Sequence, residues 1–204
     1  MIRQRVLYVG IGGSGLDLGI MLDEALRRQV CGLDGRALTR KGAVFAGFQP
    51  NQLPNFIQSV YIDFAADSLE NVTRAIKGGN AHAAGDLIPT IDNYPALALD
   101  LRMNCDEETV GWIPPKTSEE PNTRPLNGGA GQFPAVGRAA MFHSIKHQGY
   151  EAALGQKMSQ AISLLTDGSG QIDAYTGERS LDSIAVYVGF SLSGGTGCGL
   201  FLDI

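Results

Sequence analysis

A chain of 204 residues, 44% of them hydrophobic, is long enough to bury one sizeable core and reads as a single domain or most of one. A formal net charge of −5 gives no basic field for wrapping nucleic acid, so that class of partner is excluded. No apolar run approaches the roughly 20 residues of a membrane span, and Met1 leads through two arginines into a strand without a signal-peptide core. Cys31, Cys105 and Cys198 are widely spaced and form no C-x-x-C pair, which fits reduced thiols in a cytoplasmic setting rather than a disulfide framework. Glycine is the outlier: 27 residues, with the excess gathered in three short clusters rather than spread as a linker.

In chain order, Val6 to Val9 is a β-branched and aromatic run closing on Gly10, followed by Gly12, Gly13 and Gly15 and an apolar-rich stretch to about Val30. That is strand, glycine turn, helix. A polar link from Asp34 to Lys41 leads to a short apolar segment, Ala43 to Phe48, stopped by Gln49-Pro50, and then to a second strand, Ser59 to Phe64. Both segments read as buried. Asp67, with Glu70 three residues on, has the pattern of a capping box opening a short amphipathic helix that Gly78-Gly79 ends. Between Ala81 and Asn127, Pro89, Pro95, Pro114, Pro115, Pro121 and Pro125 punctuate the chain and predict an irregular, partly exposed insertion, with Trp112 as its anchor. Beyond the second glycine cluster, Val136 to Gln148 and Glu151 to Thr166 read as helices, the latter ended by Gly168 to Gly170. A last strand, Ile184 to Phe190, runs into Ser193-Gly-Gly-Thr-Gly-Cys-Gly199 and the start of another helix.

Strands that are apolar on nearly every residue and alternate with helices predict a mostly parallel sheet with helices on both faces. Ligands in such folds sit beyond the carboxyl ends of the strands, where the glycine loops lie. In the first loop, Gly10-Ile-Gly-Gly-Ser-Gly15, the missing side chains let backbone N–H groups approach an anion, and the following helix adds a favourable dipole. The loop also matches G-x-G-x-x-G, so a dinucleotide site is a competing reading; against it, the next apolar segment ends in Gln49 rather than an acid. The third cluster supplies a second N–H-rich loop and the Thr196 hydroxyl. No P-loop motif is present, so the charge of a polyphosphate would be met by backbone donors, dipoles and a bound cation, with Mg²⁺ the expected helper.

SGGTGCG resembles the tubulin signature GGGTGSG and its FtsZ counterpart GGGTGTG, with Ser193 and Cys198 as substitutions. The second cluster is similar to the FtsZ-type loop GAGANPEVGR, agreeing at Gly129, Ala130, Gly131, Pro134, Val136, Gly137 and Arg138. Val60-Tyr-Ile-Asp63 resembles the tubulin segment VFVDLEPTVI, although Ala65 replaces the family's next acid. The three loops occur in family order. The resemblance therefore implies a tubulin/FtsZ-like GTPase, with a Rossmann-like three-layer α/β domain truncated after the signature loop; the 81–127 stretch points to a divergent bacterial tubulin-like protein.

Carried over by position, Gly10, Gly12, Gly13, Ser14 and Gly15 would hold the inner phosphates of GTP or GDP. Ser193, Gly194, Gly195, Thr196, Gly197, Cys198 and Gly199 would wrap the outer ones, and Ala130, Gly131 and Gln132 would sense the terminal one. Asp63 would place Mg²⁺ through water or hydrogen-bond the neighbouring loop, and Arg138 reads as a surface ion pair rather than a phosphate ligand. The resemblance also implies filament assembly by self-association, with the base-binding segments and the catalytic acid lying in regions outside this chain, so that the fragment alone is expected to be inactive. A non-polymerising nucleotide-binding relative and an NAD(P)-binding oxidoreductase stay open. His143 and His147 form an i, i+4 pair with no third ligand evident in sequence and read as a solvated face. Cys198 reads as a small loop filler.

Overall fold

The computed structural model describes residues 2–40, 47–76, 78–84, 93–105, 111–113, 126–149, 151–179 and 181–204. Four strands, β1 (Arg5–Ile11), β2 (Ile57–Ile62), β3 (Ala81–Ala84) and β4 (Ile184–Gly189), form one sheet in the order β3-β2-β1-β4, with every pair parallel. Alternation along the strands sends successive side chains to opposite faces. Leu7, Val9 and Ile11 of β1 and Val60 and Ile62 of β2 pack on one side against α4 (Tyr94–Asn104), α5 (Pro134–Gln148) and α6 (Gln156–Asp167). Tyr8 and Tyr61 turn to the other side, against Leu16 of α1 (Gly12–Cys31) and Leu69 and Val72 of α3 (Ala66–Ala75); the short α2 (Ala37–Arg40) lies between α1 and β2 in sequence. This is the expected Rossmann-like three-layer α/β arrangement with a parallel sheet.

Register places Gly10 level with both Tyr61 and Gly189, so the carboxyl ends of β1, β2 and β4 finish side by side. The chain leaves β1 for β2 on one side and later returns to β4 on the other. The crevice where strand order reverses therefore opens beside β1, the preferred ligand position in such sheets.

Several sequence expectations are corrected. The 81–127 stretch is not an irregular insertion where it is described: it supplies strand β3 and helix α4, whose Tyr94, Leu97, Ala98 and Leu101 are buried in the main core. Pro95 does not interrupt that helix; it stands in its first turn, where the absent N–H costs nothing, and the Asn93 side chain caps it by accepting from Ala96 N–H at 2.9 Å. Trp112 packs against the same core and lies 6.0 Å from the Phe142 ring. Asp67 is no cap: α3 starts at Ala66, with Ala65, two residues before Asp67, at the N-cap and no side-chain cap bond. Gly168 ends α6 but does not turn the chain away, because α7 (Ser169–Thr176) follows at once; its lack of a side chain answers a close approach, since a Cβ there would lie 2.5 Å from Phe56 N. Most of the 43–48 segment lies outside the described residues; Phe48 is buried. β4 is an edge strand with Val186, Tyr187 and Val188 about half exposed, not a strand covered on both faces.

The turn from β1 into α1 is fixed by Tyr8, whose hydroxyl donates to Gly15 O at 2.7 Å beneath the helix's first turn. Burial pushes its pKa up to about 12. A Cβ at Gly189 would sit 2.2 Å from the Tyr8 hydroxyl, one at Gly15 2.2 Å from Gly189 O, and one at Gly10 2.7 Å from Gly15 O. Gly15→Ala therefore forces backbone against backbone and is expected to destabilise by about 1–3 kcal/mol, the usual range for overpacking. Gly13→Ala, where nothing lies within 4 Å of the added carbon, is expected to leave stability unchanged. Urea denaturation midpoints of the two variants check this.

Candidate functional site

Beyond the level strand ends lies a hollow of about 240 Å³. Four segments wall it: Ile11 to Ser14 at the start of α1; Asp63, Ala65 and Ser68 where β2 passes into α3; Gly128 to Gly131 before α5; and Ser191 with Gly194 to Gly197 at the start of α8 (Gly195–Leu200). The last two touch through their backbones, for Gly195 N–H donates to Gly131 O at 2.7 Å. A Cβ at Gly195 would stand 2.6 Å from Ala130 O, and one at Gly12 would stand 3.2 Å from Thr196 Cβ. Gly12, Gly129 and Gly131 also have positive φ, at 69°, 92° and 59°, a region that disfavours any side chain. The first turns of α1 and α3 carry no side-chain cap, so their N–H groups are left to solvent or to a ligand in the hollow. Among the described residues Asp63 is the sole charged one in the wall, and no described Lys or Arg lines it.

The sequence model of the tubulin-like family matches residues 7–204. The chain belongs to this tubulin-like family. Neither a curated protein nor a solved structure matches it.

Of the positions singled out in sequence, the fold brings Gly12, Gly13, Ser14, Asp63, Ala130, Gly131, Gly194, Gly195, Thr196 and Gly197 of this tubulin-like protein to the one hollow. Gly10, Gly15, Gln132, Ser193, Cys198 and Gly199 lie outside its wall. Gly10 and Gly15 make room for the Tyr8 packing described above, and Gly199 lets α8 approach α5, since a Cβ there would be 2.4 Å from Pro134 O. Ser193 is exposed and its hydroxyl pairs with that of Ser191 at 2.9 Å. Arg138 is held away from the hollow by a two-pronged ion pair to Asp203, both contacts at 2.9 Å, and stacks over the Trp112 ring. Sequence reasoning did not name Ile11, Ala65, Ser68, Gly128, Gly129 and Ser191 as site residues, though all line the wall. Ser191 follows the apolar strand directly and was the more legible, whereas Ser68 reaches the site only because α3 begins at Ala66.

Asp63, only 3% exposed, ties two walls together: its Oδ1 accepts from Phe64 N–H at 2.8 Å and from the Thr196 hydroxyl at 3.2 Å, and Ala65 N–H and the Ser68 side chain also donate to it. An acid therefore does close the strand beside β1, the position a dinucleotide ribose would use, and it is already tied to the protein by several donors. Burial holds its pKa above the usual carboxylate value, and the donors only partly offset that. Asp63→Ala strands these donors and is expected to cost about 1–3 kcal/mol. A raised folded-state pKa means stability present at low pH is lost as pH rises through it. Wild type is thus expected to lose ground to Asp63→Asn as pH climbs above the ordinary carboxylate range, read by urea titrations at a series of pH values.

Proposed function

We propose that this tubulin-like chain binds the phosphates of a guanine nucleotide, GTP or GDP, with Mg²⁺, and that in the full-length parent this site serves GTP hydrolysis coupled to filament assembly. One observation carries the reading: three glycine loops distant in sequence share one hollow at the switch point of the sheet, close enough that Gly195 hydrogen-bonds Gly131. Their chemistry suits a polyphosphate. Backbone N–H groups and the dipole of the long helix α1 favour an anion, and an added Cβ at Gly12 or Gly195 would intrude where the loops meet. In this arrangement Gly12, Gly13 and Ser14 hold the inner phosphates, Gly194 to Gly197 wrap the outer ones, and Ala130 and Gly131 face the terminal one.

With no lysine or arginine among the described residues of the wall, much of a triphosphate's charge is left unmatched there, which is the physical reason for a dication. Mg²⁺ would neutralise phosphate oxygens, and Asp63 would reach it through water. Because Asp63 already accepts bonds from Thr196 and the Phe64 N–H, its role is positioning rather than proton abstraction, so the chain by itself binds nucleotide and does not cleave it. The guanine preference and filament assembly rest on the family resemblance.

Titrations of the chain with GTP, ATP and NAD, each with and without Mg²⁺, test the proposal. Saturable, Mg²⁺-strengthened GTP binding that NAD does not displace is the expected result, and saturable NAD binding indifferent to GTP would overturn it. Gly195→Ala drives a methyl into Ala130 O and Gly131 O and is expected to weaken GTP binding about tenfold or more, the equivalent of about 1.4 kcal/mol, with a thermal melt confirming that the variant is folded.

A further inference from the structure

At the far end of α5 from the hollow, His143 and His147 lie one turn apart, their rings tilted at 42° with centroids 4.2 Å apart. The third ligand that the sequence did not reveal comes from the neighbouring helix: Asp100 of α4 places Oδ2 3.0 Å from His147 Nε2 and 3.8 Å from His143 Nε2. One donor atom from each of the three residues lies within 4.8 Å of the others. His143 is also not on a solvated face, as its sequence position suggested; it is 1% exposed. Its Nδ1 is buried with no hydrogen-bond partner, and its Nε2 stands beyond hydrogen-bond reach of Asp100. A buried imidazole with one nitrogen unpaired, beside a carboxylate and a second imidazole, is costly unless a further partner meets it.

We propose that Asp100, His143 and His147 form a site for a borderline divalent transition-metal ion, Zn²⁺ by the chemistry of the donors, that fastens α4 to α5. Two imidazoles and one carboxylate are a donor set suited to zinc, which keeps a further position for water in sites with three protein ligands. His147, with 44% of its side chain exposed, puts that position at the surface. Zinc bonds of about 2.0–2.2 Å put tetrahedral donors about 3.3 Å apart, so small side-chain rotations from the present spacings suffice. Mg²⁺, which prefers oxygen donors, is a poor match, so the site is chemically distinct from the phosphate hollow. It is also distant from it, since Pro134 and His147 are separated by about 20 Å of helix.

Lys146 is the group that opposes metal. Its Nζ lies 3.5 Å from Asp100 Oδ2 and must yield that carboxylate when a cation enters. This gives the proposal a signature that an ordinary cluster of charged pairs would not share. Zn²⁺ titrated into the chelator-treated chain is expected to bind at one per chain and raise the melting temperature, and Co²⁺ in its place to give the visible absorption of a low-coordinate nitrogen–oxygen site. His147→Ala and Asp100→Asn are each expected to weaken binding about 10–100-fold, and Lys146→Ala to strengthen it. Cys105→Ser, which removes the thiol at the end of α4, is expected to change nothing. Three results would overturn the site: no saturable Zn²⁺ binding, full affinity in Asp100→Asn, which would leave only a two-histidine chelate, or loss of binding in Cys105→Ser.

Discussion

The hydrogen bond from Gly195 N–H to Gly131 O depends on two backbones lying closer than any side chain would permit. Around it the same condition recurs: Gly137 faces Gly195 O, Gly199 faces Pro134 O, and Gly12 faces Thr196 and Gly197, each at a distance that a Cβ would make 3.2 Å or less. Removing side chains at these contacts lets three loops from separate parts of the chain meet as bare main chain, and that makes the hollow a surface of amides and hydroxyls. The parallel sheet brings the loops to one edge by ending three strands level. Glycine then closes the last few ångströms.

Much of this was legible in the sequence, because the signals were strong and local. β1 and β2 were visible as β-branched and aromatic runs, α1 as the stretch after a glycine turn, and the three glycine clusters as departures from ordinary composition. What stayed hidden depended on context. Pro95 signals a break when read alone and a helix start once Asn93 is seen capping Ala96 N–H. β3 is Ala-His-Ala-Ala, with little strand propensity, and exists because β2 offers it a free edge and His82 finds Gln58 at 2.8 Å. The apolar run of β4 looks the same in sequence whether the strand lies inside a sheet or at its edge. Asp100 could not be matched to His143 and His147 from spacing, since only the packing of α4 on α5 brings them together.

The hollow's electrostatics follow from where the charged side chains have gone. Arg138, in the helix that follows the second loop, is committed to Asp203 and to the Trp112 face. Asp63 is committed to the loops themselves, through Phe64 and Thr196. Among the described residues the wall is left with the partial positive charge of amides and one buried carboxylate.

Helix α5 runs from the hollow to the Asp100 cluster. Its first residues follow the Gly129–Gly131 loop, and Gly137 within its opening turns must clear Gly195 O, where an added Cβ would come within 2.5 Å, so a small shift of this helix would open or crush the third loop's seat. At its other end His143 and His147 lean on Asp100. A packed helix moves as a rod, and its position is set by what holds each end. The pairing at Asp100 thus does more than satisfy a carboxylate: by tying the distal end of α5 to α4, it restricts the tilt that the glycine contacts at the proximal end are too close to tolerate.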